Sequence, residues 1–140
     1  MRVELCICMK ILFVCSGNAY RSPLAEALLK KLRPDLQVDS AGTRVETKIS
    51  EETRKYLAEQ NAGQYLKKVP ESLKAKRLND YDLIVVMERV HKNTILSECP
   101  ECRSKVVVWN IEDLGSRPPE YIEEISKSIE EKVAELAKSL

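Results

Sequence analysis

At 140 residues the chain is one domain's worth of sequence, long enough to bury a core of its own. Its 23 basic and 22 acidic residues nearly cancel, which argues against nucleic acid or a membrane surface as partner, and no apolar run approaches the ~20 residues of a membrane span. Five cysteines, an odd number in a chain whose first residues carry no export signal, fit free thiols in a reducing cytoplasm better than a disulfide framework.

A natural start lies at Met9-Lys10-Ile11-Leu12, so residues 1–8 read as an extension on a single domain spanning 1–140. Lys10–Val14 is a continuous apolar run, as a strand buried on both faces should be. It feeds directly into Cys15-Ser16-Gly17-Asn18-Ala19-Tyr20-Arg21-Ser22-Pro23. A loop between strand and helix aims consecutive backbone N–H groups at one point and adds the positive end of a helix dipole, which makes an anion site. Arg21 adds a planar fork matched to phosphate oxygens, and the same field favours thiolate over thiol at Cys15. Phosphate held beside an activated thiolate implies phosphoryl transfer to sulfur. Gly17 permits a tight turn, and Asn18 braces the loop or takes a left-handed conformation. Ser22 has two readings that the sequence leaves open: an N-cap with Pro23 at the first helical position, or a hydroxyl donor to the sulfur.

Beyond the loop, Leu24, Leu28, Leu29 and Leu32 fall on one helical face, and Gln37–Ser40 makes a short second strand. Ser50 caps a helix whose first turn carries Glu51 and Glu52. Asp82–Met87 and Lys105–Trp109 supply two more apolar strands. His91, the chain's one histidine, follows the third strand and reads as a solvated residue on a helix surface. Ile122, Ile125, Ile129, Val133 and Leu136 then repeat at helical steps. Strands alternating with helices predict an α/β fold, an open parallel sheet with right-handed crossovers whose ligand site lies beyond the carboxyl ends of the strands. Asp113, after the fourth strand, is on that edge with Cys15; Glu112 is the alternative acid.

The stretch from Val14 to Pro23 resembles the signature loop of the low-molecular-weight protein tyrosine phosphatases, a family that also holds arsenate reductases and protein-arginine phosphatases. Asp39-Ser40-Ala41-Gly42-Thr43, Asp82 to Met87 and Ile111-Glu112-Asp113 agree with it in order. The resemblance implies a four-stranded parallel sheet with flavodoxin-like layering, no metal or organic cofactor, and a phosphorylated protein as substrate. It implies Cys15 as nucleophile, Arg21 as clamp and Asp113 as proton donor. Phosphate would be bound by Ser16, Gly17, Asn18, Ala19, Tyr20, Arg21 and Ser22. Three departures stand out. Leu114 follows Asp113 where relatives have proline, Tyr20 stands where many have a second cysteine, and Tyr65–Asp80 lacks the histidine that often braces the loop. Phosphoarginine remains an alternative substrate, because Ala19 matches neither the bulkier apolar nor the hydroxyl side chain on which specificity partly depends. Arsenate reduction needs a cysteine just after the third strand, where Met87-Glu88 stands. A four-cysteine metal site from Cys6, Cys8, Cys99 and Cys102 is conceivable on spacing alone. Oligomeric state leaves no trace in the sequence.

Overall fold

The computed structural model describes residues 9–113 and 118–140; the 1–8 extension with Cys6 and Cys8, and Leu114, lie outside the described residues. Four strands, β1 (Lys10–Cys15), β2 (Gln37–Gly42), β3 (Leu83–Val86) and β4 (Val106–Val108), form one parallel sheet in the order β2-β1-β3-β4. The expected open sheet flanked by helices is therefore present. Its register aligns Cys15 with Gly42, Val14 with Val86, and Val86 with Val108, so the carboxyl ends of all four strands meet at one edge. From β1 the chain crosses to β2 on one side and later to β3 on the other. Cys15 ends β1 at this switch of direction, where such sheets leave a crevice.

Alternation along β1 divides the core into two layers. Ile11, Phe13 and Cys15 face α1 (Arg21–Leu32), α2 (Glu51–Glu59) and α4 (Tyr121–Ser139), packing with Leu24, Leu28, Leu57, Ile129 and Val133. Leu12 and Val14 face the other way and pack with Ile84, Val86 and Ile95, the last on α3 (Arg89–Glu98). In α4 the predicted stripe buries Ile129 and Val133 in the core, half-buries Ile125 and Leu136 against it, and sends Ile122 to the wall of a cavity. Ser50 caps α2 as expected, accepting the Thr53 N–H at 3.2 Å.

One cysteine expectation fails. Cys99 and Cys102 form a disulfide where free thiols were expected, because a single tight turn, with Cys102 N–H donating to the Cys99 carbonyl at 2.9 Å, brings their Cα atoms to 5.4 Å. Their sulfurs are bonded to each other and are not open to a metal. Cys15 is the one free cysteine among the described residues.

Candidate active site

The loop after β1 gets its shape from the segment that follows β2. The carbonyls of Cys15, Ser16, Gly17 and Ala19 accept the N–H groups of Thr43, Arg44, Glu46 and Ser50 at 2.8–3.1 Å. Across a trans peptide the next N–H points opposite to the carbonyl. Fixing those carbonyls outward therefore turns the N–H groups of Ser16, Gly17, Asn18 and Tyr20 inward, and Asn18 N–H lies 3.3 Å from Cys15 Sγ. The close approach needs a glycine at Gly42, where an added Cβ would sit 2.5 Å from the Ser16 carbonyl oxygen and 2.9 Å from Asn18 N. The left-handed residue of the loop is Asn18, at φ 55, and no glycine among the described residues takes that conformation. Gly17 instead leaves room for the flexible Glu46 side chain, so the tight turn expected of Gly17 is made by Asn18.

Asn18 is fully buried and every polar atom of its side chain is engaged. Its Oδ1 accepts from Lys67 Nζ at 2.9 Å and from Glu71 N–H at 2.8 Å, which leaves Nδ2 to donate to Ser22 Oγ at 2.8 Å and Ser40 Oγ at 2.9 Å. Ser22 Oγ lies 3.0 Å from Cys15 Sγ, and toward a thiolate there the hydroxyl is the donor. Ser40 in turn donates to the buried Glu26 carboxylate at 2.5 Å. The choice left open at Ser22 is thus decided: Tyr20 occupies the cap position of α1 with no side-chain cap, and Ser22 faces the thiol. Lys67, itself nearly buried, stands where the expected histidine brace is missing. Nothing in the sequence marked it, since a lysine beside Lys68 reads as surface charge.

Arg21 opens α1 and is 2 % exposed. Its Nη1 donates to Glu88 Oε1 and to the Ile111 carbonyl, both at 2.7 Å, and Nη2 lies 3.7 Å from Asp113 Oδ2. Glu88 is the N-cap of α3; the His91 backbone N–H donates to the Glu88 carbonyl at 3.0 Å, and Glu88 N–H donates back to His91 Nδ1 at 3.0 Å. His91 is 1 % exposed and bonds Ser16 Oγ through Nε2 at 2.9 Å. The expectation of a solvated histidine is therefore wrong. Its three-residue spacing from Glu88 is a capping-box spacing, hidden because glutamate caps and histidine answers. Burial, then the nearby Arg21 guanidinium, pushes His91 down to about 4, so the imidazole is neutral.

Past β4, Asn110 at φ 57 turns the chain and Ile111 N–H donates to the Met87 carbonyl at 2.8 Å, which delivers Asp113 to the loop with its side chain 60 % exposed. Cys15, Ser16, Ala19, Arg21 and Asp113 line one cavity of about 640 Å³, walled by Arg44, Glu46, Glu52, Pro119 and Ile122. Glu112 lines a separate space of about 270 Å³ with Asn110 and Tyr121, so of the two carboxylates it is Asp113 that shares a cavity with Cys15. Tyr20 also lines the cavity; its hydroxyl meets Ser126 Oγ at 2.6 Å and donates to the Ile122 carbonyl at 3.2 Å, tying the loop to α4. Burial raises the Tyr20 phenol above its ordinary value, keeping it neutral.

A family model described as low molecular weight phosphotyrosine protein phosphatase matches residues 10–140. The low molecular weight protein-tyrosine-phosphatase Wzb of Salmonella typhi is 37% identical over 101 residues, covering 71% of this chain and 68% of that protein. The solved structure of Vibrio vulnificus Wzb in complex with benzylphosphonate superposes with a TM-score of 0.82 at 30% identity, over 94% of this chain and 99% of that one. A structure of a cysteine-to-serine mutant of the YwlE arginine phosphatase with a phosphorylated active-site serine gives a TM-score of 0.83 at 28% identity, over 94% and 95% of the two chains.

Proposed function

The chain belongs to the low molecular weight phosphotyrosine protein phosphatase family, a family of phosphomonoester hydrolases, and on that premise we propose that it hydrolyses protein phosphotyrosine through a phosphocysteine on Cys15. The observation that carries this reading is the environment of the Cys15 sulfur, with Ser22 Oγ at 3.0 Å, Asn18 N–H at 3.3 Å and the buried Arg21 in the same cavity. The inward N–H groups hold the equatorial oxygens, and the Arg21 fork takes up charge as it spreads in the transition state. The thiolate attacks phosphorus and the bond to the leaving oxygen breaks. Asp113 gives that oxygen its proton. The resulting carboxylate then takes a proton from water as the water attacks phosphorus and the sulfur leaves, and Ser22 donates to the departing thiolate. Products are the phenol and inorganic phosphate.

A second substrate is favoured by one observation. Glu46, Glu52 and Asp113 bring carboxylates to the cavity around the small Ala19, an environment that also suits the cationic guanidinium released from phosphoarginine. Arsenate reduction is disfavoured. Met87-Glu88 stands where the first relay thiol belongs, and Cys99 and Cys102 precede β4, at the sheet edge opposite Cys15. No helix among the described residues is long and apolar enough to cross a membrane. The test is pre-steady-state and steady-state hydrolysis of an aryl phosphate, beside phosphoarginine turnover and arsenate-dependent thioredoxin oxidation. A burst of phenol at the enzyme concentration is expected; arsenate reduction without aryl phosphate turnover would overturn the reading.

A further inference from the structure

Ser16 lines the cavity that holds Cys15, and the direction of its hydroxyl proton is fixed from outside the loop. Glu88 N–H donates to His91 Nδ1, so that nitrogen must present a lone pair. The neutral, buried imidazole then carries its proton on Nε2, the atom 2.9 Å from Ser16 Oγ. The opposite arrangement, with Ser16 donating to His91, would place a proton on Nδ1 facing the Glu88 N–H, two hydrogens against each other. His91 is therefore the donor and Ser16 the acceptor. The remaining Ser16 O–H cannot point at His91, and no other described residue accepts it.

We propose that Ser16 is a side-chain hydrogen-bond donor to the oxyanion held in the loop, and that His91 is the positioning residue that turns it there through the capping box of α3. The reason is electrostatic. A hydroxyl whose proton went to the imidazole would present lone pairs to a phosphoryl dianion, whereas one that accepts from the imidazole presents its proton. Ser16 adjoins the nucleophile, and its backbone N–H already points inward. The same cap holds Arg21 through the Glu88 carboxylate, so one helix start orients two of the groups that meet the phosphate. The inference rests on reading the cavity as a phosphatase site.

The experiment is the inhibition constant of inorganic phosphate against aryl phosphate hydrolysis for the native protein, Ser16→Ala, His91→Phe and the double variant. Ser16→Ala should weaken phosphate by about tenfold, the usual scale for a hydrogen bond to a charged group. His91→Phe should weaken it in the native background and add nothing once Ser16 is alanine. Nitrogen-detected NMR of the native protein should show the Nε2–H tautomer of His91, a result that stands even if the phenylalanine variant does not fold. Equal phosphate affinity in Ser16→Ala, additive losses in the double variant, or the Nδ1–H tautomer would each overturn the proposal. Failure of the native protein to bind phosphate or hydrolyse aryl phosphates would overturn the phosphatase reading itself, and this inference with it.

Discussion

The phosphate cradle and the acid segment meet in one cavity but are built in opposite ways. Cys15, Asn18, Arg21 and Ser22 are at most 2 % exposed, and each is held by partners from several elements of the fold. Asp113 is mostly exposed and sits beyond the last strand, 3.7 Å from Arg21. The cradle must be fixed before substrate arrives, because donors that reorganise during the reaction lose the advantage of preorganisation. A proton donor has a looser requirement, since it need only reach the leaving oxygen when charge develops there. The two regions should therefore leave different kinetic signatures. Damage to the cradle should slow every substrate alike, and damage to the acid should depend on the leaving group.

The largest effect is expected at the sulfur. Cys15→Ser should lower turnover by ~10⁴-fold or more, yet keep vanadate binding measurable by calorimetry, because the cradle is mostly backbone N–H. Arg21→Lys should cost ~10²–10³-fold across an aryl phosphate series, since a point charge cannot both clamp oxygens and hold Glu88 and the Ile111 carbonyl. Asp113→Asn should cost up to ~10²-fold with a poor leaving group and almost nothing with a good one. A uniform loss in that variant would erase the distinction between the regions.

Lys67→Met tests the back of the cradle. With its lysine donor gone, Asn18 Oδ1 keeps only the Glu71 N–H, and the amide loses its fixed orientation toward Ser22. About tenfold lower kcat/KM, independent of leaving group, is expected, with a lower melting temperature because Glu26 and Glu71 lose their shared cation. Substrate-dependent loss would move Lys67 out of the cradle and toward the acid. The smallest effect on rate is a stability change at His91. An unfolded chain takes up a proton there below about pH 6.5, whereas the folded chain resists protonation until about pH 4. Stability should thus be unaffected above the upper value and fall by up to roughly 3 kcal/mol as the pH drops to the lower one. Denaturant unfolding of native protein and His91→Gln across this window should show the native advantage shrinking as pH falls; a constant difference would contradict the neutral buried imidazole.

Legibility in the sequence follows the same division. The sheet, its layers and the Cys15–Arg21 loop were readable because apolar runs and a fixed spacing are local signals. The place of Asp113 in the cavity was readable by position after the fourth strand. The residues that hold the cradle were not, because their roles come from contacts far along the chain. Lys67 reaches Asn18 across 49 residues and His91 reaches Ser16 across 75, and neither local context differs from that of a surface side chain. Gly42 was legible as part of a family stretch, but its steric role against the Ser16 carbonyl needed the register of β1 and β2. The Cys99–Cys102 bond was missed because composition argued for free thiols, while one turn of chain geometry decided it.

The central claim, that Cys15 attacks phosphorus from a preformed cradle, is tested most directly by acid quench during steady turnover of a tyrosine-phosphorylated peptide, followed by peptide mass analysis. The account predicts a phosphoryl group on the sulfur of Cys15 that forms and is lost at the rate of turnover. Full turnover with Cys15 unmodified and the phosphoryl group on another residue would contradict it.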